Sequence, residues 1–210
     1  MRLYSPDKSY YIKEKNCNVD APEKSKGKLR TGFTTGTCAT AASKAGILAI
    51  INQQSLNSVD VILPKRDKIN IQINSCNFSK YNAQCSVIKD GGDDPDVTHG
   101  AEIFVDISLT DTIGSIEIDG GKGVGRVTKP GLGLEIGTAA INPTPKKMIL
   151  ENIQEVGEEV LGKNGIKIVV SVPTGEELAK KTDNPRIGIL DGISILGTSC
   201  LLYTSDAADE

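Results

Sequence analysis

Several short segments of this chain alternate apolar and polar residues, and this pattern requires a β-sheet with one buried face. Isoleucines at 69, 71 and 73 alternate with amides, and the same spacing recurs at 83, 85 and 87 and from 103 to 109. A period of two residues is the signature of a half-buried strand. Further strands are expected at 59–63 and 115–119, and the turn at 64–68 predicts a hairpin between the first two strands.

One helix is predicted to lie inside this layer. The segment Ala39–Ile51 consists almost entirely of Ala, Ile, Leu and small polar residues, a composition that favours helix. About five one-sided strands together with a buried helix predict an α+β fold, with a mixed or largely antiparallel sheet layered with helices.

The second half of the chain has a different pattern. Thr144-Pro145 predicts an N-cap and a first helical turn, and apolar residues then follow at helical spacing until Gly162. An apolar strand at 166–172, a short helix at 176–181 and a strand at 186–190 are expected next. Strand, helix and strand in this order predict that an α/β domain begins at about residue 146.

Composition excludes several classes of protein. The 210 residues carry a formal net charge of −3 and only 4% aromatic residues, which argues against a nucleic-acid binder. No run approaches the ~20 apolar residues of a membrane span, and the N-terminus lacks the apolar core of a signal peptide. Five scattered cysteines contain no CxxC pair, so neither a zinc ribbon nor a disulfide scaffold is expected. These observations predict a cytoplasmic protein.

The segment Arg30–Cys38 leads into the predicted helix and is rich in threonine and glycine. Unpaired N–H groups at a helix N-terminus attract anions, so the segment is a candidate ligand loop. The alternative is ordinary capping, in which the hydroxyl of Thr35 or Thr37 closes the first turn. The candidate binding residues are Thr34, Thr35, Gly36, Thr37 and Cys38.

The loop 90–100 joins two predicted strands and contains the only histidine of the chain. It does not match the ligand spacing of a calcium loop. General acid–base chemistry, polar contacts to a ligand and a solvated turn all remain open. If the loop is covered by other segments, a shifted carboxyl pKa is expected. The candidate catalytic residues are Asp93, Asp94, Asp96 and His99.

A glycine-rich loop at 119–133 carries three basic residues. It is not followed by the helix of a dinucleotide fingerprint, and its Gly-Lys pair lacks the Ser or Thr of a P-loop. An anionic ligand and an exposed basic loop with structural glycines are the two interpretations. The candidates here are Lys122, Gly123, Gly125, Arg126 and Lys129, and weaker signals add Asn142, Gly197 and Thr198.

Taken in order, six segments resemble the cobalt-precorrin-5B C(1)-methyltransferase family of cobalamin biosynthesis, CbiD. They lie at 30–39, 92–101, 123–132, 140–143, 171–179 and 192–198. They read RTGFTTGTCA, GDDPDVTHGA, GVGRVTKPGL, AINP, SVP with GEELA, and GISILGT.

The resemblance implies methyl transfer from S-adenosylmethionine to carbon 1 of a corrinoid, in the oxygen-independent route to vitamin B12. Cobalt would be present only as part of the substrate, and no metal site of the protein itself is implied. The basic residues of the glycine-rich loop would contact substrate carboxylates. The carboxylates and histidine of the 90–100 loop would serve as a base or bind the sulfonium region of the donor, and a homo-oligomer is possible.

The resemblance also implies two domains, an α+β part followed by a Rossmann-like α/β part that is truncated here. The final segment 200–210 departs from the family and resembles a translated sequencing adapter, so it is expected to be non-native. We therefore expect a mobile lead-in at 1–28, an α+β domain at 29–145 and a linker helix with the start of the α/β domain at 146–199. A chain truncated in this way is expected to have little or no activity.

Two other functions fit the same motifs. A small-molecule kinase would bind phosphate at the threonine-rich loop and magnesium at the aspartates. A corrinoid-binding or carrier protein would use the basic loop without catalysis.

Overall fold

The fold is built around a five-stranded sheet, and the computed structural model describes residues 30–197 and 201–202. In chain order its elements are β1 (Gly32–Phe33), α1 (Thr35–Asn52), β2 (Ser58–Ile62), β3 (Lys68–Gln72), β4 (Ser75–Phe78), β5 (Asn82–Ile88), β6 (Glu102–Thr110), β7 (Ile116–Gly120), β8 (Gly123–Val124), β9 (Arg126–Val127), α2 (Pro143–Leu161), β10 (Gly165–Ser171), α3 (Gly175–Ala179), α4 (Asn184–Ile187), β11 (Ile189–Leu190), β12 (Gly192–Ile193) and β13 (Leu201–Leu202).

The main sheet has the strand order β4-β5-β6-β10-β7 and is mixed, as the sequence predicts. From β4 through β5 and β6 to β10 each strand pairs antiparallel with the next, and β10 pairs parallel with β7. The register pairs Ala83 with Ile107 and Cys85 with Val105, so the alternating apolar residues of β5 and β6 meet on one face. That face forms the core.

Helix α1 fills this core and is buried on nearly all sides, which confirms the predicted buried helix. It packs against β5, β6 and α2. Its small residues allow this close approach, since a Cβ atom at Gly46 would lie 2.7 Å from Cδ1 of Ile107. The helix begins at Thr35, four residues before the predicted start, so the threonine-rich segment forms its N-cap and first turn.

The predicted hairpin is confirmed as β2 and β3, which form a separate two-stranded sheet. The side-chain amide of Asn152 on α2 holds its edge: Nδ2 donates to the Ile62 carbonyl at 3.0 Å, and Oδ1 accepts from the Ile62 N–H at 2.9 Å. Strand β4 was not predicted, because its four residues are too few to establish a period.

Helix α2 confirms the predicted helical spacing but begins earlier than expected. Its N-cap is Asn142 and its first residue is Pro143, rather than a cap at Thr144. The helix ends at Gly162 as predicted.

Strand β10 lies in the main sheet between β6 and β7. It is the first strand of the strand, helix and strand that the sequence indicates, and α3 corresponds to the helix expected at 176–181. Residues Ile166, Ile168 and Val170 are fully buried in the same core cluster as the first strands. The strand was therefore predicted from the sequence, but its neighbours were not. The domain boundary expected at 145/146 stays a prediction.

The strand expected at 186–190 is also wrong. Asn184-Pro185 starts the short helix α4, and Gly188 ends it with φ of 91°, which leaves only Ile189–Leu190 extended. Strand β11 pairs with β9, and β12 pairs with β8. In the backbone, Leu201–Leu202 pairs with Gly32–Phe33. The expected lead-in at 1–28 and the rest of the 200–210 segment lie outside the described residues. Among the described helices, none is long and apolar enough to cross a membrane.

Candidate ligand-binding site

Three of the predicted segments meet at one pocket. The N-terminus of α1, the 90–100 loop and the 191–197 segment surround a cavity of about 280 Å³. Its lining comes from these segments and from the turn before α4: Thr34, Thr35, Asp96, Val97, Thr98, Thr182, Asn184, Ile193, Ser194 and Leu196. Segments far apart in sequence thus converge on one cavity.

The N-terminus of α1 is capped by the protein itself. The Thr34 hydroxyl accepts from the Thr37 N–H at 3.2 Å, and the Leu196 carbonyl accepts from the Gly36 N–H at 2.8 Å. The capping interpretation therefore applies, with Thr34 in the place expected for Thr35 or Thr37. A phosphate cradle would need these N–H groups, so the kinase interpretation loses its anion site.

Thr35 joins the helix to the opposite wall of the pocket. Its hydroxyl accepts from the Leu196 N–H at 2.9 Å and lies 3.3 Å from the Leu196 carbonyl, to which it donates. Thr34 and Thr35 line the pocket, whereas Gly36, Thr37 and Cys38 are buried behind it. Burial raises the pKa of the Cys38 thiol to about 12, so this group stays protonated.

Asp96 is the only carboxylate of the pocket lining. Its Oδ2 accepts from the ammonium of Lys89 at 2.7 Å, and its Oδ1 accepts from the Thr98 N–H at 2.6 Å and from the Thr98 hydroxyl. The Lys89 side chain is fully buried. Burial by itself raises the pKa of Asp96, but the hydrogen bonds from Lys89 and Thr98 outweigh it, so that the pKa is lowered. Asp96 is therefore a fixed anion and a poor base at neutral pH.

The other candidates of this loop have different surroundings. An oxygen of Asp93 accepts from the Arg30 N–H at 2.6 Å, and Arg30 also bonds the carboxylate of Asp90, whose pKa is lowered by that bond. The Nδ1 atom of His99 accepts from the Gly91 N–H at 2.9 Å. A neutral His99 therefore carries its proton on Nε2, which makes it a donor rather than a base. Asp94 is half-buried, and its carboxylate accepts no hydrogen bond from the described residues, although its carbonyl accepts from the Asp96 N–H at 2.8 Å.

The glycine-rich loop contributes no residue to the pocket lining, although β8 pairs with β12 beside it. Arg126 binds Asp119 through two nitrogens, at 2.7 and 3.1 Å, and Lys129 donates to the Arg186 carbonyl at 3.2 Å. The hydrogen bond from Arg126 lowers the pKa of Asp119. Lys122 and Lys129 are both exposed and have no ion pair among the described residues, and only Lys122 of these two makes no side-chain hydrogen bond there.

The glycines of this loop have a packing role. A Cβ at Gly125 would lie 2.9 Å from the Gly192 carbonyl, and Gly123 has φ of 73° and faces the Val172 carbonyl. Both positions therefore bring backbone segments together, which is the structural interpretation of these glycines.

The three weaker candidates, Asn142, Gly197 and Thr198, lie in different places. Asn142 caps α2 through its backbone position and makes no side-chain cap bond. Gly197 lies against the hydroxyl of Thr34, at 2.7 Å from where its Cβ would be, and so closes the rim of the pocket. Thr198 lies outside the described residues.

The hydroxyls of the pocket share one property that the sequence did not reveal. Each of three donates its proton to a protein group: Thr35 to the Leu196 carbonyl, Thr98 to Asp96 and Thr182 to the Ala179 carbonyl. A hydroxyl whose proton is used can only accept from a ligand. Together with the Asp96 anion, the pocket therefore presents acceptors.

Sequence reasoning did not select five polar contributors to this site: Lys89, Thr98, Thr182, Asn184 and Ser194. Thr182 and Asn184 lie between the helix expected at 176–181 and the strand expected at 186–190, and from the segment of Ser194 only Gly197 and Thr198 were candidates. One signal was available, since Asn184-Pro185 is a dipeptide typical of turns.

The fold is that of a protein with a mixed β-sheet and packed helices, and its candidate ligand site lies at the N-terminus of a buried helix. The CbiD family model matches residues 22–203, so the chain belongs to the CbiD family. The match extends into the segment that the sequence assigns to a non-native tail.

Relatives and a solved structure agree with this family. The chain is 52% identical over 170 residues to the cobalt-precorrin-5B C(1)-methyltransferase of Geobacillus kaustophilus, covering 81% of this chain and 45% of that protein. It is 48% identical to the enzyme of the same name from Picrophilus torridus, over 85% of this chain and 52% of that protein.

The crystal structure of the cobalamin biosynthesis protein cbiD from Archaeoglobus fulgidus superposes with a TM-score of 0.63 at 35% identity. The match covers 85% of this chain and 56% of that chain. The chain spans about half the length of the curated relatives it matches.

Proposed function

We propose that this chain is part of a C-methyltransferase that methylates carbon 1 of cobalt-precorrin-5B, with S-adenosylmethionine as the methyl donor. The names of its relatives and their high identity support this reaction. A cytoplasmic location and a homo-oligomeric state of the enzyme remain predictions.

We assign the pocket to the donor rather than to the corrinoid, because its lining presents hydrogen-bond acceptors, among them the carboxylate of Asp96. S-adenosylmethionine has a sulfonium, an ammonium and ribose hydroxyls, which suit acceptors and an anion. A corrinoid rich in carboxylates offers mostly acceptors, which such a lining does not bind well. The acceptor-rich lining is the single observation that carries this assignment.

Part of the site would come from the rest of the full-length protein. A cavity of about 280 Å³ is small beside the roughly 300–1,000 Å³ of typical ligand pockets. We infer that the part of the relatives' length outside this match, proposed as a Rossmann-like α/β region, completes the donor site and much of the corrinoid site. Lys122 is the residue of the glycine-rich loop best placed to reach a substrate carboxylate.

The described residues also bear on the reaction mechanism. Methyl transfer from a sulfonium is an in-line displacement that needs alignment and exclusion of water more than acid–base groups. Asp96 and Thr98 would orient the donor as a fixed pair. If carbon 1 must lose a proton, Asp94 is the carboxylate of this loop without a hydrogen bond from the described residues.

Calorimetry on the full-length enzyme tests the donor assignment. We expect Ser194→Ala to weaken binding of S-adenosylhomocysteine by about 3- to 10-fold, the effect of one lost hydrogen bond. The matched control is Thr138→Ala, an exposed hydroxyl outside the pocket that donates to the Glu135 carbonyl. Equal affinities for the two variants would contradict the assignment.

Methyl transfer itself separates the three functions. The full-length enzyme should move a labelled methyl group from S-adenosylmethionine to carbon 1 of the corrinoid. Binding of the corrinoid without transfer would support a carrier, and magnesium-dependent ATP binding alone would support a kinase.

A further inference from the structure

Two cysteines on neighbouring strands lie side by side at one edge of the main sheet. Cys76 on the edge strand β4 is directly opposite Cys85 on β5, and their sulfur atoms are 3.3 Å apart. Neither belongs to the pocket described above, and both are free thiols.

The strand register places this pair at a favourable position. The Ser79 N–H donates to the Asn82 carbonyl, and Ser79 and Asn82 are opposite each other in the same register. Hydrogen-bonded pairs alternate along antiparallel strands, so Cys76 and Cys85 form a non-hydrogen-bonded pair. Side chains are closest at such pairs, and the typical Cα separation of about 4.5 Å falls within the roughly 4.4–6.8 Å range of disulfides.

The surroundings give the two thiols different roles. Cys85 is fully buried in the core, whereas Cys76 is partly exposed on the edge strand. Burial, together with the hydrogen bond to Cys76, raises the pKa of the Cys85 thiol. Cys76 is therefore the thiol that an external reagent reaches first, and Cys85 is the thiol positioned to react with Cys76.

We propose that Cys76 and Cys85 form a reversible cross-strand disulfide by exchange with a small-molecule disulfide such as glutathione disulfide. The Cys76 thiolate attacks one sulfur of the reagent and releases one glutathione thiolate, giving a mixed disulfide. The Cys85 sulfur then attacks the Cys76 sulfur, and the second glutathione leaves as a thiol that takes the Cys85 proton. The protein dithiol is oxidised and glutathione disulfide is reduced to two thiols, so the exchange balances.

The second step is favoured by proximity. Because the two sulfurs are already in contact in the reduced protein, closure requires a movement of about 1.3 Å, from 3.3 Å to the ~2.0 Å of a disulfide bond. An intramolecular thiol at this distance outcompetes free glutathione for the mixed disulfide. The oxidised pair would tie the edge strand to the sheet.

Mass spectrometry after incubation with a glutathione redox buffer tests this proposal. We expect a peptide linking Cys76 to Cys85, a mass loss of two hydrogens, and full recovery of both thiols on reduction. The Cys85→Ala variant should instead accumulate glutathione on Cys76, and its native circular dichroism spectrum would show that it still folds.

Two results would overturn the proposal. One is alkylation of both thiols in the unsubstituted protein after oxidation, with no linked peptide. The other is stable glutathionylation of Cys76 while Cys85 is present. As a matched control, Ser75→Ala changes the neighbouring residue of the same strand and should leave the linkage intact.

Discussion

At the scale of single residues, the buried ion pair between Lys89 and Asp96 shapes the candidate site. The Lys89 side chain is fully buried and that of Asp96 is 23% exposed, and both oxygens of Asp96 are bonded within the protein. Sequence reasoning identified Asp96 as a candidate but had no means of finding its partner. A lysine at the end of an alternating strand is typical of a surface position, and only tertiary packing reveals that it is covered.

Asp96→Asn should destabilise the protein because it leaves the Lys89 charge buried without a counter-charge. We expect a loss of about 2 kcal/mol in the free energy of unfolding. This loss is smaller than the cost of breaking a fully buried ion pair because Asp96 is partly exposed. Asp94→Asn is the matched control, and a change within about 0.5 kcal/mol is expected there. Denaturant unfolding of both variants measures the difference, and equal stabilities would contradict the role of the ion pair.

The same pair predicts a pH dependence with a definite sign. The pKa of Asp96 is lower in the folded protein than the ~3.9 of an unfolded aspartate. Its stabilisation is therefore present above about pH 4 and is lost as the pH falls through the folded pKa. The stability difference between the unsubstituted protein and Asp96→Asn should narrow below that pH. A constant difference during acid titration would disprove this linkage.

At the scale of elements, helix α1 and the 191–197 segment depend on each other. Thr34 caps the helix. The Thr35 hydroxyl bonds both the N–H and the carbonyl of Leu196, and the Gly36 N–H donates to the same carbonyl. The sequence predicted the helix, its burial and the loop before it. It did not predict the helix start, because threonine is a poor helix former in isolation and burial overrides that preference here.

Thr34→Ala should cost about 1 kcal/mol of stability because the Thr37 N–H loses its acceptor. Thr34→Ser retains the hydroxyl and should recover most of that loss. Thermal unfolding monitored by circular dichroism gives the comparison. If Thr34→Ser is as destabilised as Thr34→Ala, lost methyl packing rather than capping is the cause.

Thr35→Val should loosen the 191–197 segment more than the rest of the molecule. The substitution leaves the Leu196 N–H without its acceptor while keeping the volume of the side chain. We expect hydrogen exchange at the Leu196 amide to accelerate at least about tenfold, which corresponds to the loss of one buried hydrogen bond. Amides of β5 and β6 serve as the internal reference and should not change.

At the scale of the whole molecule, β10 joins the two halves of the chain into one core. Alternation and apolar runs predicted nearly every strand of the main sheet, because one buried face leaves a period of two in the sequence. They did not predict the position of β10. Pairing partners separated by more than forty residues leave no trace in a local pattern, and the strand–helix–strand signal fits a new sheet as well as an existing one.

A chain ending at residue 163 should therefore fail to fold. Removing β10 would expose β6 and β7 and the core face covered by Ile166, Ile168 and Val170. We expect loss of cooperative unfolding and of native circular dichroism. A cooperative transition in that shortened chain would instead support a domain boundary near residue 146.

The central claim is that the pocket between the α1 N-terminus, the 90–100 loop and the 191–197 segment binds the methyl donor. A crystal structure of the full-length protein with S-adenosylhomocysteine tests it most directly. We predict that the bound ligand contacts Thr98 and Ser194 and places its ammonium or sulfur region toward Asp96. Ligand density at another site, with this pocket left to solvent, would contradict the claim.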